Sequence, residues 1–508
     1  MNTQQPNNTN RRNAGRLMLP LSLLLTILMA PGCKKFLATY SQNQTFIETA
    51  ADLDELLVGE AYNIKGVIAW VDVLDDDLEE NPATLFSGGG AVFNYSGVHH
   101  WQPTPFIQTD AVRYTDNIYI PLYKKIAGIN TILFNIPAVE GKGEPKDTLR
   151  RISGEARFLR AYYYWVLANF FGKPYNPATA ANDYCVPLKT DPAVEDKPFS
   201  RNTVKQVYDQ IIDDLLTSEK QLQGFNQQSR HRVNQACAQA LLSRVYLYMG
   251  DYQNAISWAD KAMAQTRYRL SNLNAYTPGS PIIQAASPET IFSMPIAGES
   301  TFNILMAPAN STSRKDNFKV SPELLQTYSP EDLRLTAFFE TSALGEVMAR
   351  KAGVITNVQE EFMVRVPEVF LNKAEALAIL GRDADAATAV QELRKNRFKP
   401  EHLTAVTQTG AALVNFIREE RRRELCFEML RWFDLRRYGV NDRFPFGKTI
   451  RHTSYAYNSS GRFIQGYFEL KPYDQDKAAY VMPIPDTEID FNNGAISNEP
   501  RPERPLIR

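Results

Sequence analysis

At 508 residues and 44% hydrophobic side chains, the chain is long enough to bury one very large core or two to three ordinary ones. A formal net charge of -1 provides no field to steer a polyanion, which excludes nucleic acid as a main partner. Aromatics make up 11%, with 24 Tyr, 27 Phe and 5 Trp; that supply serves the core and leaves rings for a stacking ligand site.

In chain order, the first informative stretch is the N-terminus. Arg11, Arg12 and Arg16 precede an apolar run from Leu17 to Ala30 that ends in Pro31-Gly32-Cys33. A basic head, a short apolar stretch and a small residue at the cut describe a secretory signal over residues 1–32. The run is shorter than the roughly 20 residues of a membrane-spanning helix. Cys33 after Gly32 resembles a bacterial lipobox, with Ala30 and Pro31 standing where Leu and a small residue are usual. This reading makes Cys33 a lipidation site heading a tether over residues 33–50. Three further cysteines, Cys185, Cys237 and Cys426, have neither a disulfide framework's number nor zinc-ligand spacing. Cys237 and Cys426 fall in helical patterns and read as small buried hydrophobes.

Asp75-Asp76-Asp77 with Glu79-Glu80 offers hard oxygens suited to calcium, but an acidic run more often forms a solvated face. Gly88-Gly89-Gly90 lacks the strand, helix and Lys of a phosphate loop and reads as a flexible connection. His99-His100 are adjacent, and adjacent side chains diverge in most backbones, so no metal is assigned there. The stretch Phe86 to Gln108 shows no clear periodicity.

From Arg151 to Phe171 the apolar residues Ile152, Ala156, Leu159, Tyr163, Val166 and Phe170 alternate steps of four and three, and Phe158, Tyr162 and Trp165 form a second stripe. A helix apolar on two sides is covered on two sides, and Gly172 and Pro174 end it. His231 to Met263 reads as a helical hairpin broken at Gly250-Asp251, and Pro367 to Arg397 repeats it around Gly381. Ala255, Ala259 and Ala262 follow Gly250 at the same offsets as Ala386, Val390 and Leu393 follow Gly381. That is the packing logic of tetratricopeptide units. Gln265 to Val320 is polar and irregular. Ile417 to Gly439 is dense in Arg and Glu, and its interleaved apolar residues describe a partly buried helix whose charges pair internally. After Gly439 the chain is largely irregular, with strand-like pieces at Arg462–Leu470 and Ala479–Ile484. The expected fold is mainly α: a tetratricopeptide-like helical-hairpin scaffold with long irregular loops and small β-hairpin excursions. Two regions divide it, residues 51–230 and 231–508. No metalloprotease, phosphate-loop or nucleophile-elbow motif is present, so no catalytic residue, cofactor or metal is assigned.

Seven segments, in order, resemble the SusD/RagB family. They are Cys33 to Leu37, Asp52 to Tyr62, Leu122 to Asn130, Gly154-Glu-Ala-Arg-Phe-Leu-Arg-Ala-Tyr162 with Phe171-Gly172, Asp332-Leu-Arg334, Arg421 to Gly439, and Met482-Pro-Ile-Pro485 with Glu488-Ile489. The resemblance implies an outer-membrane lipoprotein, held to the membrane by its lipid and serving nutrient uptake. It implies a receptor that binds oligosaccharides and passes them to a TonB-dependent SusC-like porin. A peptide- or protein-binding receptor on the same scaffold is the alternative, and a lipoprotein enzyme is disfavoured. The acidic tag often seen after the lipidated cysteine is absent, Lys34-Lys35 standing there. Aromatic faces suit sugars, and Phe93, Asn94, Tyr95, His100 and Trp101 fall where the family inserts binding residues; Trp70 is a further candidate.

Overall fold

The computed structural model describes residues 47–508 apart from 63–68, 84–88, 116–117, 196, 298–304, 307–315, 352–357 and 459–460. The export signal, Cys33 and Gly88 lie outside the described residues. Eleven helices of seven residues or more carry the described fold. They are α1 (Ala50–Leu56), α2 (Ala91–His99), α3 (Tyr119–Glu140), α4 (Lys146–Phe171), α5 (Val204–Gln221), α6 (Gln235–Met249), α7 (Tyr252–Met263), α8 (Val366–Ile379), α9 (Asp383–Arg394), α10 (Gly410–Leu425) and α11 (Arg431–Gly439).

From α3 to α9 each helix packs against the next in the chain, and α8 also packs on α10. This serial contact follows from the sequence pattern. Both apolar stripes of α4 are buried, and the helix packs against both α3 and α5, with Phe158 of the second stripe on Phe292 and Trp165 on Tyr248 and Phe433. In the first hairpin Gly250 takes the left-handed backbone (φ 78°) that closes α6, and the Asp251 side chain accepts the Asn254 N–H at 3.2 Å to open α7. Gly381 (φ 79°) makes the same turn between α8 and α9. The small residues do what their spacing predicts: Ala240, Ser243, Ala255 and Ala259 are buried, and Ser243 Oγ donates to Ala255 O across the hairpin at 3.0 Å. The two hairpins are joined by α7 against α8 and by a buried bidentate pair, Arg244 to Glu368, at 2.6 Å through both oxygens.

The strands are short and antiparallel. β1 (Leu78–Glu80) pairs with β3 (Phe318–Val320), β2 (Thr290–Ala297) with β6 (Val358–Arg365), β4 (Phe339–Thr341) with β5 (Val347–Ala349), and β7 (Ile450–Asn458) with β8 (Gly461–Leu470). Two local expectations are corrected. The stretch Phe86 to Gln108 contains helix α2, and Ala479–Ile484 forms no strand. Residues Lys477–Tyr480 make a single 3-10 turn, and Met482-Pro-Ile-Pro485 then runs extended, its prolines without N–H groups to pair in a ladder.

A third correction concerns the Arg- and Glu-rich stretch: it is core, but Ile417 to Gly439 is not one helix. Helix α10 ends at Leu425, Phe427 and Met429 take left-handed backbone, and α11 starts at Arg431. Most of the charges in the stretch pair with other parts of the chain. Arg421 reaches Asp434 and Asn372 at 2.7 Å each, Glu420 accepts from Arg334 (2.7 Å) and Arg423 (2.8 Å), and Glu424 accepts from Arg397 at 2.8 Å. These guanidinium groups are buried and already hold carboxylates, so the stretch is a set of internal ties.

Candidate ligand-binding cleft

A line of rings leads from the helical core to the surface. Phe170 of α4 packs on Trp70 (centroids 5.1 Å), Trp70 on Phe106 (5.3 Å), Phe106 on Tyr114 (5.8 Å) and Tyr114 on Tyr95 (6.4 Å). The segment after α2 makes this possible by folding back on itself: Tyr114 N–H donates to Phe106 O at 3.1 Å, and Gln108 N–H to Val112 O at 2.8 Å. Phe106 and Tyr114 therefore stand side by side, with Trp70 beneath them.

They line a cleft of about 570 Å³. Its first wall is Pro103 to Phe106 with Arg113 to Thr115; its second is Pro483 to Thr487 with Asn498, Glu499 and Arg501. The second wall is pinned at several points. Met482 N–H donates to Phe170 O at 2.8 Å, and the Asn498 side chain both donates to and accepts from the Ile484 backbone at 2.8 Å. Arg501 joins the two walls, donating to Val481 O at 2.6 Å and to Gln102 O at 3.3 Å. Arg113 faces Asp486 at 3.4 Å, both largely exposed, a geometry worth little in water. The cleft thus combines ring surface with threonine, asparagine, arginine and carboxylate groups, the mixture of apolar lining and a few polar groups usual in ligand pockets.

The expected site residues divide into two groups. Phe93, Asn94 and Tyr95 lie half-buried on α2. The Phe93 N–H donates to the Asp316 carboxylate at 2.7 Å, Asn94 Oδ1 accepts from Gln108 Nε2 at 2.9 Å, and Tyr95 adjoins the cleft through Tyr114. Burial raises the Tyr95 hydroxyl above its ordinary pKa. Trp70, His100 and Trp101 are core instead. Trp101, 1% exposed, donates from Nε1 to Leu74 O at 2.8 Å and stacks on His452 at 4.1 Å. It ends α2 in a left-handed backbone (φ 50°) that its packing holds in place. His100 stacks on Phe468 (4.2 Å) beside Glu80 (3.3 Å). These three have no ring face open to a ligand; Trp70 supports the cleft from below.

The other chemistry-bearing motifs are internal. His99 stacks on His452 at 3.8 Å, and burial first of all presses both imidazoles down, His452 to about 4, which leaves them uncharged near neutral pH. Asp75, Asp76 and Asp77 bring oxygens within 4.8 Å of one another. Burial pushes the Asp76 carboxyl up, but Arg422, Arg431 and Lys448 outweigh it and hold it well below the usual range. Arg431 and Lys448 reach Asp76 at 2.7 Å and Arg422 reaches Asp77 at 2.7 Å, whereas burial, and then the charges of Asp77, Asp76 and Asp72, raise the Asp75 carboxyl well above the usual range. Gly90 proves to be a contact point. A Cβ there would lie 2.1 Å from Asp316 Oδ1, and Asp316 accepts the N–H groups of Ala91 (2.9 Å) and Phe93, so it caps α2 from a distance in sequence.

The sequence does not single out the cleft-lining Phe106, Arg113, Tyr114, Asp486, Asn498 and Arg501 as candidates. One signal was available, the Met482–Pro485 segment, which was noted as a motif but not connected to the loop after α2.

Fold and cleft define a helical-repeat scaffold that carries a preformed, ring-floored cleft. A family model described as starch-binding and associating with the outer membrane matches residues 35–247, and the SusD family model matches 347–500. The chain belongs to the SusD/RagB family. A SusD-like protein P2 of Formosa agariphila is 24% identical over 411 residues, covering 70% of this chain and 75% of that one. A SusD superfamily crystal structure from Bacteroides thetaiotaomicron superposes with TM-score 0.69 at 22% identity, covering 89% of this chain and 100% of that one. A SusD-like carbohydrate binding protein from Bacteroides vulgatus gives 0.64 at 19%, covering 88% and 97%. Among the described residues no helix is long and apolar enough to cross a membrane.

Proposed function

We propose that the protein is a receptor that binds oligosaccharides in the cleft between residues 103–115 and 483–501 and releases them unaltered to a transporter. The ring line ending at Phe106 and Tyr114 carries this reading. Pyranose C–H faces stack on such rings, while Thr104, Thr115, Thr487, Asn498 and Asp486 are placed to bond hydroxyls. Phe93, Asn94 and Tyr95 extend the site along α2, and Trp70, His100 and Trp101 hold its shape. The family's description as starch-binding, and a solved relative titled carbohydrate binding, support the ligand class.

In this reading residues 1–32 are removed and Cys33 carries the lipid that holds the chain to the outer membrane, facing the cell surface. The transporter is a SusC-like TonB-dependent porin. Support comes from the sequence at Cys33 and from the family's association with the outer membrane.

Calorimetric titration against oligosaccharide and oligopeptide panels tests the reading, with Tyr114→Ala as the variant. Saturable binding of a glycan without hydrolysis, weakened about tenfold in the variant, is the expected result. Binding confined to peptides would replace it with the peptide-receptor alternative, and hydrolysis would make the protein an enzyme.

A further inference from the structure

The charges of the cleft are unequally buried. Asp486 and Glu499 stand at the rim, with side chains 78% and 46% exposed, and each faces a cation, Arg113 at 3.4 Å and Lys173 at 2.9 Å. Arg501 is placed differently. It lines the cleft, and among the described residues its guanidinium donates only to backbone carbonyls within the wall, with its Nε enclosed and without a partner. Among the described residues no carboxylate lies within ion-pair distance of it; Asp476, which acts on it more remotely, is taken by Arg504 at 2.7 Å. Carbonyl dipoles solvate a guanidinium but bring no counter-charge. Burial, and then the like charge of Arg504, press the Arg501 guanidinium down to about 10 despite Asp476.

An under-compensated cation in the wall of a ligand cleft is stabilised by any anion that enters. Arg113, across the mouth, is held only by a solvent-screened pair, so it is available to the same ligand. We propose that the cleft selects oligosaccharides bearing an anionic oxygen group, a carboxylate or a sulfate, over their neutral counterparts, with Arg501 in the wall and Arg113 at the mouth as the recognising cations. Both groups present paired oxygens, which the exposed guanidinium of Arg113 can meet edge-on, while Arg501, its nitrogens held by the wall, acts through its charge. The inference rests on the oligosaccharide reading above and adds a charge requirement to it.

The test titrates the purified full-length protein in detergent with oligogalacturonate, a sulfated galactan oligomer and neutral malto-oligosaccharide of matched length. Each is run at low salt and at about 0.3 M. At least one acidic series is expected to bind about tenfold tighter than the neutral one, with the gap narrowing in salt. Which acidic series wins separates uronate from sulfate. Arg113→Gln is expected to lower the acidic-to-neutral affinity ratio several-fold. Arg501→Gln should do so too, with Arg501→Lys retaining part of the ratio; thermal unfolding of each variant checks that the wall still forms. Equal binding of neutral and acidic series, or variants that leave the ratio unchanged, would overturn the inference, reduce Arg501 to a strut and leave the carbohydrate reading standing. Absence of binding by every glycan to a cooperatively folding protein would overturn both.

Discussion

Trp101 and Tyr114 show how two rings on one loop can differ in role. The Trp101 indole is enclosed, stacked on His452 and hydrogen-bonded to Leu74 O, so Trp101→Ala removes core volume and leaves a carbonyl without its donor. The expected loss is about 3–5 kcal/mol of unfolding free energy, read from urea denaturation. A second residue-scale consequence concerns Asp72, buried with its Oδ1 accepting the Met429 N–H at 3.2 Å. Burial raises its carboxyl from 3.8 to about 7. A carboxyl whose folded pKa lies above its unfolded one binds more protons when folded, so it subtracts stability as pH rises between those two values. Asp72→Asn keeps the accepting oxygen and removes the titration. The variant should gain on the parent by at most about 1.4 kcal/mol per pH unit between about pH 4 and pH 7 and match it below that window, measured by denaturation across pH. A constant difference at all pH values would show that Asp72 does not titrate in this range.

At the scale of elements, the two helical hairpins depend on a tie that neither contains alone. Arg244 of α6 and Glu368 of α8 form a bidentate pair with side chains 1% and 3% exposed. Arg244→Met leaves the buried Glu368 carboxylate with only Arg421 at 3.7 Å among the described residues and is expected to cost about 3 kcal/mol, whereas the double change with Glu368→Leu should recover most of it. Measured stabilities of the two singles and the double decide this, and simple additivity would show that the pair is not coupled. The hairpins themselves were legible in sequence, because Gly250 and Gly381 mark the turns and small residues recur at fixed offsets behind them. The α4 helix was legible for the same reason, its two stripes recording two covered faces. Helix α2 was not: its N-terminus is capped by Asp316, more than two hundred residues away, and a remote cap leaves no local signature. The burial of the Ile417–Gly439 stretch followed from its interleaved apolar residues, but the break between α10 and α11 and the remote partners Asp76, Asp77 and Glu375 could not be named from spacing.

At the scale of the whole molecule, chain-distant segments meet to make the cleft. Residues 103–115 come from the first quarter of the chain and 483–501 from its end, joined by Arg501 reaching Gln102 O at 3.3 Å. Sequence reading pointed to the segment next to the cleft but selected its largest ring, Trp101, and a tryptophan there serves packing as readily as binding. The rings that face the cleft, Phe106 and Tyr114, are distinguished only by the backbone pairing that turns them outward together. The scaffold's helix-on-helix succession gives this junction a firm base, since Trp70 rests on Phe170 of α4. The central claim is therefore a location as well as a ligand class. A crystal structure of the protein soaked with the tightest-binding oligosaccharide tests both at once. The account predicts sugar density over Tyr114 and Phe106, with hydroxyl contacts to the 483–487 wall and Trp70 unmoved beneath. Sugar bound on a different face, with the cleft empty, would contradict it.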